Sequence, residues 1–359
     1  GSGTKTLGGD VTVANDLTID PVVTIAMDAN NLTVAGDTDI NGTVTISTAT
    51  LDADGTFDAT SGNVTFSDDG NLLVAGDVES LGILSDNFGT VTYDGVDQTV
   101  FSDDYYNLTA GGGSGTKTLG GGVTVANDLT IDTDVTIAMD ENNLTVAGDT
   151  DINGTVTIST ATLDADGAFD ATGGFVTFTD DGNLTLDSTV TSLGTLTNVD
   201  FGTVTYDGVD QVVFSDDYYS LTAGGGSGTK TLGGDVTVAN DLTIDTDVTI
   251  AMDTHDLTVT NFTDIDGTLA VAGNTLILDG ESDIDGTITI IDGTVDAEGT
   301  FDATGGFITF TDDGNLNLAS TVISLGLLSD NFGTVIYDGV DQDVLTDIYN
   351  NLVMGGSSG

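Results

Sequence analysis

The sequence predicts an all-β chain wound as a β-solenoid (β-helix) rod of about 19 short coils. Three observations carry that prediction: a long text repeated three times, a 19-residue duplication inside the third copy, and short apolar/Thr alternations set between Gly, Asn and Asp. The alternative, three tandem β-sandwich modules of ~110 residues each, fits the length of the repeat but not the duplication.

The long repeat opens with Ser2-Gly-Thr-Lys-Thr-Leu-Gly-Gly, which returns at Ser114 and Ser227. Each copy runs on through Val-Thr-Val-Ala-Asn-Asp-Leu-Thr-Ile-Asp from Val11, Val123 and Val236, and closes on Tyr-Asp-Gly-Val-Asp-Gln from Tyr93, Tyr206 and Tyr337. Repeat 1 is therefore 1–113, repeat 2 is 114–226 and repeat 3 is 227–359, together expected to form one continuous solenoid. The third copy is longer because Thr263-Asp-Ile-Asp-Gly-Thr returns at Ser282, 19 residues on. In a closed sandwich such an insertion must be a loop or a disruptive pair of strands. In a solenoid it is one more coil, because each coil touches only its neighbours.

The strands of each coil read as Val-Thr-Val, Leu-Thr-Ile, Val-Thr-Ile and Leu-Thr-Val, a period-two alternation of β-branched and apolar residues. The outer two residues of a triplet point to one face and the Thr to the other. The corners read as Asn41-Gly42, Asp69-Gly70 and Asp266-Gly267, residue types that tolerate a left-handed backbone. No convincing helical period interrupts them.

Composition bounds the function. Against 59 acidic residues stand 3 basic ones, a formal net charge of −56, yet 38% hydrophobic content is too high for a disordered polyanion. Cysteine is absent, which removes disulfides, thiolate catalysis and Cys-bearing zinc sites. With so few cations, nucleic acid and anionic lipid are disfavoured partners. No apolar run reaches the length of a membrane span, so no membrane insertion is expected. No signal peptide opens the chain, and an export signal is expected to have been removed or to lie outside this segment. Nineteen coils at ~4.8 Å would make a rod of roughly 90 Å. It would carry one negative charge per ~1.6 Å, close to the charge density of duplex DNA. Such a rod condenses counterions, divalent ones especially, so a salty or calcium-rich extracellular setting is expected.

Candidate sites all recur. Asp52, Asp54 and Asp58 return as Asp164, Asp166 and Asp170, and as Asp296, Glu298 and Asp302. Alternate carboxylates around a Gly suit Ca²⁺, although the twelve-residue loop with its closing Glu is missing and corner Asp residues also arise from turn preference alone. Calcium is thus the one cofactor expected, bound there or diffusely. Asp68-Asp69-Gly70-Asn71 and its copies read as turns. Every basic residue holds one repeat position, Lys5, Lys117 and Lys230, read as structural ion pairs with nearby Asp. His255 reads as a surface substitution, and the Tyr105-Tyr106 and Tyr218-Tyr219 pairs as core packing. Asn-x-Thr sequons, as at Asn31 and Asn143, follow from corner and strand chemistry, and Thr-x-Thr pairs are too interrupted by Asp for an ice-binding array.

The ends carry a further clue. Internally, Tyr106-Asn107-Leu108 leads through Gly111-Gly112-Gly113 into Ser114-Gly115-Thr116-Lys117. The chain closes on Tyr349-Asn350-Asn351-Leu352 and Gly355-Gly356-Ser357-Ser358-Gly359, and opens on Gly1-Ser2-Gly3-Thr4-Lys5. Joining one copy's end to the next copy's start recreates the internal junction, so rods are expected to stack head to tail, or to form a stretch of a longer chain of the same repeat.

At these junctions, Tyr93-x-Gly95-x-x-Gln98-x-Val100, Tyr106-Asn107-Leu108-Thr109 and Gly115-Thr116-Lys117-Thr118-Leu119-Gly120 resemble modules of very large bacterial surface proteins. Those are adhesin-like β-strand-repeat proteins with filamentous-haemagglutinin-style repeats. The resemblance implies secretion, a β-helical shaft and adhesive or matrix roles. An active site would be a unique constellation, whereas every acidic cluster here comes in triplicate, so no enzyme is expected. The expected function is an extracellular filament. A calcium-dependent adhesin stalk or carbohydrate-binding surface protein is the alternative, with cell-surface or matrix polysaccharide as a second partner class and the divergent stretch 261–292 as the place for a ligand.

Overall fold

A computed structural model describes residues 1–85, 87–197, 200–329 and 331–355. The chain is all-β, with no helix among the described residues, and its parallel strands stack as a β-solenoid of about 17 turns, close to the expected number. The pairing rules out tandem sandwiches: a strand's partner is the third one along, which means three strands per turn, and the neighbours run parallel. Two compact units result, Gly1–Asn183 with Thr191–Thr197, and Leu184–Val190 with Asn198–Gly359.

In the first unit one face stacks Gly3–Thr6, Val23–Ala26, Thr43–Ile46, Asn63–Phe66 and Ile83–Leu84. A second stacks Val11–Val13, Leu32–Val34, Thr50–Ala53, Asn71–Val74, Thr90–Tyr93 and Asn107–Ala110 in order. The third stacks Leu17–Ile19, Thr38–Ile40, Phe57–Asp58 and Val78–Ser80. Period-two alternation sorts the side chains, so that Val44 and Ile46 are buried while Thr43 and Thr45 line the outside. Register then makes like stack on like: Leu32, Leu51, Leu72, Val91, Leu108 and Leu129 form one buried ladder. Each such side chain stabilises the fold by about 1.5–3 kcal/mol through removal from water. The parallel ladder beside it runs Val34, Ala53, Val74, Tyr93, Ala110 and Ile131. There the large Tyr93 is accommodated by the small Ala110 on the next turn.

In the second unit the duplicated text forms one added turn. Phe262–Ile265 pairs in parallel with Glu281–Ile284, placing Ser282 on Thr263 and Ile284 on Ile265. Three strands separate the two texts' equivalent points, so faces downstream keep their phase.

The corners expected to be left-handed, Asn41-Gly42, Asp69-Gly70 and Asp266-Gly267, have no positive φ. Glycine is needed there because a Cβ would meet the Val23, Ser47 or Val248 carbonyl at 2.3, 2.4 or 2.3 Å. The left-handed backbone falls at other corners. Asp28, Asp140 and Asp253 have φ of 51°, 52° and 50°, and Asp134 and Asp247 have 67° and 66°. The first repeat places Val22 at that latter position, with φ 64°.

Candidate functional site

Near the end of the first and second repeats the ladders stop and restart. In the first unit Val78–Ser80 closes the four-stranded sheet and Gln98–Val100 opens a six-stranded one, while Ile83–Leu84 closes the five-stranded sheet and Asp104–Tyr105 opens another. Only the face carrying Thr90–Tyr93 and Asn107–Ala110 continues through. Side chains take over there from main-chain ladders. Gln98 Nε2 donates to the carbonyls of Val74 and Gly76 at 2.8 and 2.9 Å, and its Oε1 accepts from Gly95 N at 2.7 Å. Gln211 repeats this on Leu186, Ser188 and Gly208, and Gln342 on Leu318, Ser320 and Gly339.

Two buried tyrosines complete the junction. Phe101 N donates to Tyr93 Oη (2.9 Å), and Tyr105 Oη donates to Phe101 O (2.6 Å). The Tyr105 proton is thereby committed, so Tyr93 is the donor across the 2.9 Å Tyr93–Tyr105 contact. The result is a closed circuit that satisfies both main-chain groups of Phe101. Tyr206, Tyr218 and Phe214 repeat it. Burial pushes the Tyr93 and Tyr206 phenols up to about 12 and raises Tyr105 and Tyr218 further.

The break leaves a groove in each repeat. It has a volume of about 460 Å³ beside Asp77, Asp97, Gln98 and Thr118, about 610 Å³ beside Asp187, Thr189, Asp210 and Val212, and about 270 Å³ beside Thr321, Val340 and Asp343. Beneath the groove sit the lysines. Lys117 and Lys230 are fully buried. The Lys117 ammonium is held by main-chain oxygens rather than by a carboxylate: it donates to the carbonyls of Gly95 and Val96. Burial lowers its pKa, and Asp94 and Asp97 oppose that shift from longer range. Lys230 is likewise lowered by burial against the pull of Asp207, Asp187 and Asp210, and its Nζ finds no hydrogen-bond acceptor among the described residues. Lys5 is exposed.

The acidic motif is not gathered into one ligand set. Asp52 lies on the Thr50–Ala53 strand and Asp58 on Phe57–Asp58, which belong to different sheets. Asp164 and Asp170, and Asp296 and Asp302, are split in the same way, with Asp54, Asp166 and Glu298 at the corner between. Asp58 is held below the usual carboxylate range by hydrogen bonds from Thr60 Oγ1 (2.6 Å) and Thr60 N (2.8 Å). Among the described residues no three acidic or histidine side chains are grouped to hold a metal ion. What the reading of single motifs missed is stacking between turns. Asp39 pairs in register with Asp58, Asp151 with Asp170, and Asp264 with Asp283 and then Asp302. The signal was the 19-residue spacing of these aspartates. Burial first, then neighbouring carboxylates, raise the pKa of Asp264 and Asp283.

No protein-family model, curated protein or solved structure matches this chain.

The arrangement is suited to joining repeats. Internally, the strands Gln98–Val100 and Asp104–Tyr105 have one neighbour each, Gly115–Leu119 and Val123–Val125, both from the following repeat. A repeat's closing text is thus ordered into strands by the next repeat's opening text. No helix among the described residues is long and apolar enough to cross a membrane.

Proposed function

We propose that this chain is an extracellular structural protein that forms filaments by head-to-tail stacking of its solenoid repeats. One observation carries the reading: the internal junctions are made of two half-sites, and a further closing half at Tyr337–Met354 and opening half at Gly3–Val13 pair with no adjoining repeat among the described residues. A heterologous contact of this kind propagates into an open fibre. The charge supports an extracellular, salt-rich setting, because copies carrying −56 each approach only where counterions screen them. The same carboxylate density supports diffuse calcium association along the stacked aspartates rather than a single caged ion. A fibre needs no catalysis, and the sites that attract notice recur in all repeats. The junction text's resemblance to bacterial adhesin-like surface repeats fits a matrix or cell-surface location.

Cryo-electron microscopy in millimolar calcium beside a chelated sample tests this. Filaments with a ~4.8 Å axial repeat are expected. Only isolated particles in both samples would discard the fibre. A second reading, an adhesin stalk that binds polysaccharide, is favoured by the three recurrent grooves lined by Thr and Asp, two of them also by exposed Val. Retention on a glycan array that is lost in the Val212→Asp variant would support it.

A further inference from the structure

We infer that the partner of the Gly3–Thr6 edge is the Gln342–Met354 segment of a second copy of this chain, in the register of the internal junctions, with Lys5 as the buried lock. This rests on the fibre reading and gives it an atomic form.

The closing half is already shaped. Tyr337 and Tyr349 hydroxyls stand 3.2 Å apart, Leu345 N donates to Tyr337 Oη at 3.3 Å and Tyr349 Oη donates to Leu345 O at 2.7 Å, the same circuit as in both internal junctions. Gln342 makes the same three hydrogen bonds as Gln98. Yet 342–344 and 348–349 form no strand, because their internal counterparts are strands only through pairing with the next repeat. Val344 is 38% exposed where Val100 is 1%, and Met354 is 73% exposed where Ala110 is 1%.

The opening half is equally prepared. Gly3 has φ 99°, matching Gly115 (106°) and Gly228 (114°). At Gly115 and Gly228 a side chain is forbidden by a carbonyl, Val96 O or Val209 O, 1.7 Å from where Cβ would sit. At Gly3 nothing lies within 4 Å. Its backbone keeps the shape of a carbonyl acceptor site with the carbonyl missing, and Val340 O of a second copy is the group that fits. Thr116 N and Thr229 N donate to the Asp97 and Asp210 carboxylates at 2.9 Å, which assigns Asp341 as the acceptor for Thr4 N. Lys5 then lies against Gly339 and Val340 carbonyls, as Lys117 lies against Gly95 and Val96. Carrying the internal register across pairs Gln342 with Lys5, Asp343 with Thr6, Tyr349 with Val13 and Leu352 with Leu17.

The chain has no cysteine, so paired substitutions report the register without background. Adjacent in-register strand residues lie within disulfide reach. Under mild oxidation in calcium and salt, the Asp343→Cys/Thr6→Cys variant is expected to give a ladder of covalent multimers, and Asp343→Cys/Thr4→Cys is expected not to. Lys5→Glu, at an exposed position, is expected to keep the wild-type melting curve and weaken assembly by at least about 100-fold. Filaments that form while the slipped pair crosslinks equally, or while Lys5→Glu assembles like wild type, would overturn this register and leave the fibre standing. Wild-type chains that stay monomeric by ultracentrifugation in every salt and calcium condition would overturn the fibre reading itself.

Discussion

Replacing Tyr93 by Phe removes one oxygen from the closed circuit of the first junction, and the consequence can be worked through. Phe101 N loses its acceptor and Tyr105 Oη loses the proton donated to it, while the ring still fills the place beside Ala110. The buried main-chain group left unpaired sets the cost at about 1–3 kcal/mol. Tyr105→Phe strips Phe101 O and costs a similar amount. In the double variant both groups of Phe101 are orphaned but no stranded hydroxyl remains, so the loss is smaller than the sum by about 1 kcal/mol. Solenoids need not unfold in one step, so urea denaturation followed by circular dichroism should be joined to hydrogen exchange at the Phe101 amide. That amide is expected to lose about 10–100-fold of its protection. Tyr106→Phe, outside the circuit, is the control. Additive single effects, or a Tyr93→Phe protein with unchanged Phe101 exchange, would show that the circuit is not a coupled unit.

Three further outcomes follow from single positions and from charge. Val22 is a β-branched residue at φ 64° where the other repeats place Asp134 and Asp247. Val22→Asp should therefore stabilise the first unit by about 1 kcal/mol, and a lower melting temperature would contradict the strain. Thr38 and Thr150 bury hydroxyls with no hydrogen-bond partner, each beside a buried phenylalanine, Phe57 or Phe169. Replacing either by Val keeps the shape and should gain about 1 kcal/mol, measured by urea titration, whereas a loss would mean the hydroxyl is satisfied. Finally, burial, with help from neighbouring carboxylates, raises the pKa of Asp52, Asp264, Asp283 and Glu298. Groups whose folded pKa is raised contribute stability that is present on the acid side and lost as pH rises through the raised value. Asp58, held down by Thr60, works in the opposite sense. The melting temperature should accordingly be higher near pH ~4.5 than at pH 7, and fall again above pH ~10 as Tyr93 and Tyr206 are forced to ionise. A maximum at neutral pH would mean the raised carboxyls do not govern.

The sequence made the coil legible because its two signals are local and redundant. Alternation fixes which residues of Thr43–Ile46 point inward, and the 19-residue return from Thr263 to Ser282 fixes how far one turn travels. The in-register aspartates were legible by the same spacing, but only once strands are stacked: nothing in Asp-Ala-Asp-Gly-Thr-Phe-Asp says that Asp52 and Asp58 face different ways around a corner. The junction was legible as text and opaque as geometry. Gln98 and Lys117 are far apart along the chain from the carbonyls they serve, and a side chain that bonds main chain one turn away leaves no periodicity to read. Lys117 illustrates the physical reason. In a chain with this excess of Asp, a lysine suggests an ion pair. Burial, however, removes it from the water that solvates both partners, and two fixed carbonyl dipoles solvate the ammonium instead. That choice has a consequence for specificity. A surface ion pair could form with any of the many aspartates on a neighbouring copy, whereas a cage built from Gly95 and Val96 accepts one lysine in one register. On a surface of nearly uniform negative charge, where electrostatics cannot discriminate one stacking from another, the buried lysine and the glycine that must lie against a carbonyl are the features able to set how one repeat meets the next.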